Sequence, residues 1–315
     1  MANVNNPVFI EKTEGEIKGY VDESNESLIA KTVLGGQSVG LFNLQTGVKG
    51  ATAINLLNTD VTLQSALECG FTPAGASKIS RRILDPVYLK VNMEWCDKNF
   101  LDTYAQHMVK IAAGMKTLPY AEEFTSHIVA KVNAALENML YQGVANSAKT
   151  EFDGLMTIVS ASNSGAIKVG TDSGTAWEKI AKVYANVPEE AHKDDLVILV
   201  SPSLYREFVQ ELVKANMYHY DANDASASVK LPGTNVSIIP VEGLIPNKAN
   251  AGKEFIVALR KSNVIFGTDM TNDQEKFDFW YSKDDQTFKL AIEFTAGVQV
   301  AYPEEIVWAD GSAKA

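Results

Sequence analysis

The closing stretch constrains the fold more than any other part of the chain. Phe277, Phe279 and Tyr281 alternate with polar neighbours, and Ser282-Lys283-Asp284-Asp285-Gln286 makes a turn. Phe288, Leu290, Ile292 and Phe294 then alternate against Lys289, Glu293 and Thr295. Successive side chains of a strand point to opposite faces, so this pattern predicts two long strands, antiparallel through a short turn, with one apolar face. Gly297 reads as a bulge, after which Val298, Val300 and Tyr302 resume the alternation until Pro303 stops it.

Helical periodicity precedes those strands. Asp97 can cap a helix running to about Met115, with Leu101, Tyr104, Met108, Ile111 and Met115 on its apolar face, broken at Leu118-Pro119. A longer helix runs from about Tyr120 to Gln142, with Phe124, Ile128, Val132, Leu136 and Met139 in one stripe and Gly143 as a C-cap. At 1.5 Å per residue it is ~34 Å long, enough for a structural spine. Residues 144–253 alternate between helix (Thr175–Ala185, Pro202–Asn216) and strand (Leu196–Val200, Asn235–Val241), with Phe255–Leu259 a further strand. The uniformly apolar Leu196–Val200 suits a buried central strand.

Upstream, residues 46–97 read as extended. Val48–Leu57, Lys78–Ile83 and Val87–Val91 are candidate strands, Gly70–Ala76 is a small-residue excursion, and Pro86 must sit at a bend or an edge. A long hairpin of this kind is marginal alone in water, and its edges invite pairing with another chain. Residues 1–45 are polar, with a solvated run at Asp22–Ser27 and a joint at Gly35-Gly36. They read as an arm, either mobile or ordered against something else.

Composition removes several function classes. Of 315 residues, 46% are hydrophobic and 21% charged, which is globular rather than disordered or fibrous. The formal charge of −11, from 28 basic and 39 acidic residues, speaks against gripping nucleic acid through its phosphates. Cys69 and Cys96 cannot build a disulfide framework, and the start Met1–Pro7 shows no secretory pattern. No run approaches the roughly 18 apolar residues of a membrane span. The expectation is a soluble acidic protein made in a reducing compartment.

The search for chemistry returns few candidates. Gly170-Thr171-Asp172-Ser173-Gly174 approximates a serine-protease nucleophile segment, but the inserted Thr spoils it and a turn with an N-cap is the better reading. His107, His127, His192 and His219 show no metal-binding spacing, and His107 and His127 read as helix-surface residues. The glycines at 35, 36, 40, 47 and 50 form no phosphate-binding loop, and Met217-Tyr218-His219-Tyr220 reads as a frayed helix end. Lys78, Arg81, Arg82 and Lys90 concentrate basic charge on the proposed hairpin. Two readings stay open for them: a solvated strand face, or docking onto acidic surfaces of a neighbour such as Glu122-Glu123 or Glu189-Glu190.

The order of elements resembles a tailed-bacteriophage major capsid protein: polar arm, extended hairpin, long spine helix, α/β domain, long terminal strands. The wording is similar at Asn138-Met139-Leu140-Tyr141-Gln142-Gly143 followed by Phe152-Asp153-Gly154-Leu155. It is similar again at Lys214–Tyr220, at Leu231-Pro232-Gly233-Thr234, and most closely to gut-type phages at Lys261–Asp269 and Gly297–Pro303. The likeness spans roughly residues 46–308. It implies an α+β capsid fold, shared with encapsulins and the herpesvirus capsid floor. Its parts would be an N-terminal arm (1–45), an extended β-hairpin loop (46–97), a peripheral domain with the spine helix (98–155) and long antiparallel strands (254–315), and an axial α/β domain (156–253).

The resemblance further implies a non-enzymatic virion protein without a cofactor. It would assemble with itself into hexamers and pentamers of an icosahedral head in the bacterial cytoplasm and enclose double-stranded DNA without reading it. Scaffolding protein, portal and a head-decoration protein are the implied partners. Residues 1–45 are too few for a built-in scaffold, so a separate scaffold or a trimmed chain is expected. Lys78, Arg81, Arg82, Lys90, Glu122 and Glu123 are the candidate inter-subunit contacts. An encapsulin-like compartment and, from another class, a soluble α/β enzyme acting near Leu196–Pro240 are the alternatives; a small head-decoration protein is disfavoured by the spine helix.

Overall fold

The terminal alternation becomes the centre of the molecule. The computed structural model describes residues 7–59, 61–65, 75, 77–112, 120–171, 173–216, 229–247, 250, 252–269 and 276–312. In it β10 (Lys276–Ser282) and β11 (Thr287–Val300) pair antiparallel from Lys276↔Glu293 to Ser282↔Thr287. The opposite edge of β11 takes β4 (Val87–Cys96), antiparallel from Val87↔Ala296 to Cys96↔Thr287. From Gly297 onward β11 pairs with β9 (Val264–Gly267), and β1 (Asn43–Gln45) adds to β9 in parallel.

β11 runs unbroken through Gly297, where the sequence suggests a bulge. The glycine answers a close approach instead: a Cβ there would lie 2.8 Å from the Cα of Pro86, in the bend before β4.

One face of this sheet is apolar. Phe277, Phe279, Phe288, Leu290, Ile292 and Phe294 are buried there, beneath α3 (Tyr120–Gln142), whose observed span is the expected one. Ile128, Val132 and Leu136 of the expected stripe are buried, and Phe124 meets Trp95 and Phe279 edge to face at 5.2 and 6.0 Å. The other face is polar. Register sets Lys90 opposite Glu293 and Glu293 opposite Lys276, with Glu94 opposite Lys289.

The first segment departs from expectation. Pro7–Leu34 is a single helix, α1, which buries Ile17, Val21, Leu28, Ile29 and Val33 in the same core as α3 and β10. Polar contacts fasten it: Tyr104 Oη donates to Glu16 at 2.7 Å, the Tyr281 amide to Glu14 at 3.1 Å, and Asn25 Nδ2 to the Phe277 carbonyl at 3.2 Å. α2 (Asp97–Ala112) buries Tyr104 as expected, but His107 takes an inner position while Met108 is exposed. Met115 falls outside the described residues.

A second sheet has the order β5 (Ile167–Lys168), β12 (Val307–Ala309), β8 (Ile256–Arg260), β6 (Leu196–Val200), β7 (Ser237–Pro240). β6 is buried along its whole length between parallel β7 and antiparallel β8, as its composition requires. α4 (Leu155–Ser160) leads into it, and α5 (Ala176–Ala185) and α6 (Pro202–Lys214) pack on it. Thr175 and Glu178 close a reciprocal capping box on α5, with Gly174 at φ +108° in the turn before it. That local structure accounts for the Gly170–Gly174 run. The sheet draws β8 and β12 from beyond residues 156–253, and Met217–Tyr220 lies outside the described residues.

Replacing Gly297 with Ala forces Pro86 and β11 apart. The expected cost is about 1–3 kcal/mol, read as a lower denaturant midpoint at unchanged slope.

Candidate functional site

The hairpin is built by β2 (Thr52–Thr59) and β3 (Ser77–Leu84), antiparallel from Thr52↔Leu84 to Thr59↔Ser77. It is shorter than the sequence suggests, because the chain turns at Asp85-Pro86 and leaves for the main sheet as β4. Lys90 therefore belongs to the polar face of that sheet, opposite Glu293, and not to the hairpin. Tyr88, on the same face, hydrogen-bonds Glu293 through its hydroxyl.

The two faces of the hairpin have different fates. One face roots it: Leu56 and Leu84 are buried with Val48, Ile265 and Ala301, and Ile54 packs alongside. The fit at Leu84 is close, since a Cβ on Gly267 would lie 2.6 Å from its Cδ2. Arg82 is on this face, half-buried, donating from Nε and Nη2 to Gln299 Oε1 at 3.4 and 3.3 Å, while Gln299 Nε2 donates to the Ile83 carbonyl at 2.6 Å. Burial holds the Arg82 guanidinium below its ordinary value, against the opposing charge of Glu304. Arg82 is a root residue of its own chain.

The opposite face is bare. Leu57 is 62% exposed, its cross-strand partner Ile79 75% and Ile83 55%, with exposed Arg81 between the two isoleucines. Lys78 stands opposite Asn58 in the register, and its side chain is outside the described residues.

The main sheet leaves a complementary gap. α1 and α3 cover the apolar face over β10 and β11, and beside β4 a groove of about 420 Å³ remains. Leu89, Val91, Met93 and Trp95 line its floor, α3 supplies Phe124, Ile128 and Met139 among others, and His127 and Lys131 stand at α3's turn of the wall. The edge of β4 away from β11 carries no strand among the described residues.

Of the acidic candidates, Glu123 is engaged within the chain. Glu123 accepts from Nε2 of the buried His107 at 3.2 Å, and burial together with the Glu123 charge pushes the Tyr120 hydroxyl up to about 12. Glu122 lines a crevice between α1 and α3 that also holds Tyr20 and Lys31. His107 is thus a buried residue, contrary to the surface position expected of it. His192 makes an edge contact with Tyr184 at 5.2 Å, and His219 and Cys69 fall outside the described residues. Cys96 is a free, exposed thiol. Among the described residues no three metal-ligating side chains converge, and no helix is long and apolar enough to cross a membrane.

Basic residues mark the hairpin in the sequence, but the apolar residues beside them form its bare face. Their signal was present: Leu56 and Leu57, and likewise Ile83 and Leu84, fall on opposite faces, so the hairpin is apolar on both sides while only one finds cover in its own chain.

No protein-family model matches the chain, and no curated protein matches it. Solved structures do. A chain of the satellite phage P4 procapsid, determined with its size-determination protein, superposes with a TM-score of 0.59 at 9% identity, over 96% of this chain and 98% of its own. The capsid of myovirus phage XM1 gives 0.54 at 11% identity, over 86% and 90%. The encapsulin of Synechococcus elongatus gives 0.50 at 12%, over 87% of this chain and 86% of its own. The chain has the fold of these shell subunits: an α+β tailed-phage capsid fold.

Leu84→Ala empties the root of the hairpin at a cost of about 2–5 kcal/mol. The expected outcome is cleavage between β2 and β3 faster by an order of magnitude or more in limited proteolysis, with the helical circular-dichroism signal unchanged.

Proposed function

We propose that the chain is a major capsid protein of a tailed phage: a structural, non-enzymatic subunit that forms hexamers and pentamers of an icosahedral head. The observation that carries this reading is the bare face of the hairpin, Leu57, Ile79 and Ile83, on a chain with a shell-subunit fold. Such a face needs cover, and the groove between β4 and α3 needs filling. A second copy of the chain can supply each to the other. Head-to-tail contacts of this type close into rings when the rotation between copies closes, as hexamers and pentamers require.

Magnitudes favour the apolar contact over the charged one. Fully burying a Leu or Ile contributes about 1.5–3 kcal/mol, whereas an exposed ion pair through Arg81 contributes about 0–1 kcal/mol. Of the six residues proposed as inter-subunit contacts, Arg81 keeps a free position on the bare face, so it would set register more than strength. Arg82 and Glu123 already have partners in their own chain, and Lys90 lies on the main sheet opposite Glu293. The charge of −11 suits a wall that must not immobilise packaged DNA. Scaffolding, portal and decoration proteins belong to this reading as further partners, with the virion as its location.

The encapsulin likeness supports a second reading, a protein-filled compartment. Nucleic acid extracted from native particles decides for a phage head, and cargo protein for a compartment.

The double variant Leu57→Asp/Ile79→Asp should stay folded and monomeric where the wild type forms shells, by sedimentation and negative-stain microscopy. Shells of the double variant, or a wild type that stays monomeric at high concentration with and without scaffold, would sink the proposal. Arg81→Glu alone should weaken assembly without abolishing it.

A further inference from the structure

The segment between α1 and β1 crosses α3 at a buried carboxylate. Gly35 and Gly36 pass so close that a Cβ would lie 2.6 Å from Asn133 Nδ2 at the first and 3.0 Å from Glu137 Oε2 at the second. The next buried residue, Ser38, gives its hydroxyl to Glu137 Oε1 and its amide to Oε2 at 3.4 Å, while Tyr141 Oη donates to Ser38 Oγ at 2.7 Å. Gln37 reaches the other way, donating to the Pro240 carbonyl at the end of β7 at 3.1 Å.

The second sheet meets α3 at the same place. Its 3₁₀ turn, Glu242–Leu244, presses Gly243 against the helix, where a Cβ would lie 2.3 Å from the Tyr141 ring and 2.5 Å from the Glu137 carbonyl. Gln142 clamps the turn, donating to the Gly243 and Ile245 carbonyls at 2.7 Å each and accepting from Asn247 and Asn250. Glu137 therefore sits where α1, α3 and the second sheet join. A cavity of about 310 Å³, lined by Gly35, Gly36, Gln37, Ala130, Asn133, Ala134, Glu137 and Glu242, adjoins the carboxyl and gives protons a route to it.

We propose that the Glu137 carboxyl is a proton-controlled latch on this joint, holding the Gly35–Ser38 crossing and the Glu242–Leu244 turn against α3 when protonated and loosening both when ionised. The ionisable neighbours make this a one-sided balance. The turn contributes Glu242, a like charge; α3 contributes Tyr141, which burial keeps neutral; α1 contributes Lys31 in its last turn, whose carbonyl is taken by Asn133 at 3.1 Å. Burial raises the Glu137 carboxyl above its ordinary value and Glu242 adds to the rise, outweighing the two hydrogen bonds from Ser38. Folding thus takes up a proton. The joint is firmest below the ordinary glutamate range and weakens as pH rises through Glu137's own midpoint.

The latch is a property of the single chain and does not depend on shell formation. Hydrogen–deuterium exchange of the intact protein at about pH 5 and about pH 8, corrected for intrinsic rates, tests it. Protection of amides in 36–42 and 243–247 should fall by about tenfold for each pH unit by which Glu137's midpoint exceeds the acid-side pH of about 5. Glu137→Gln, which keeps an accepting oxygen without the charge, should hold both segments at the acid-side level throughout. Glu242→Gln should narrow the wild-type drop, and it leaves the Ser38 contacts in place should the first variant fold poorly. A pH-independent wild type, a Glu137→Gln protein with the full drop, or a Glu242→Gln protein with no narrowing would each overturn the proposal.

Discussion

The inward face of β11 decides where every other element of the main body goes. Phe288, Leu290, Ile292 and Phe294 alternate over one stretch of strand, so the residues beside them in β10 and β4 must also be apolar on that face. The alternation forces a cover, which α3 and α1 provide. A one-residue slip would turn this entire set to water, and so the register is strongly specified. Where β4 begins after Pro86, β11 passes to β9 as its partner, and the hairpin root settles on that change of partner through Leu84, Gly267 and Gln299.

Strong periodicity made parts of this legible from the residues alone. The β10–β11 hairpin, α3 with its stripe, buried β6 and the turn capped by Thr175 all lie where alternation, helical spacing and cap chemistry put them. α1 was not legible for a definite reason. Its buried apolar residues leave a gap from Val21 to Leu28, spanned by Asp22–Ser27, so no continuous stripe shows. The helix is held across that gap by single polar contacts, Asn25 to Phe277 and Glu14 to Tyr281, which link positions hundreds of residues apart. Contacts of that range leave no local trace in a sequence.

The hairpin shows a second limit. Charge is easy to count, so Lys78, Arg81, Arg82 and Lys90 stood out as a group. The Asp85-Pro86 bend separates Lys90 from the others, and alternation sends Arg81 and Arg82 to opposite faces with opposite roles. Register, which no count records, divides the cluster. The same register identifies the unburied set of Leu57, Ile79 and Ile83, because it shows which apolar residues have no cover inside the chain.

The distribution of ion pairs bears on what kind of contact the chain can make. Arg260 is held by Asp195 and Glu305, both at 3.1 Å, and Lys168 by Asp310 at 3.3 Å, all within the second sheet and its connections. Glu123 is engaged by His107, and Lys90 faces Glu293 across the sheet. These ion pairs tie parts of the chain to one another, and the net charge of the chain is negative. Two copies therefore repel at a distance and gain little from pairing at the surface, so any stable association must draw on apolar area. The bare hairpin face and the groove beside β4 both offer such area. Leu57, Ile79 and Ile83 find no cover among the described residues of their own chain, which makes their face the apolar area such an association would draw on.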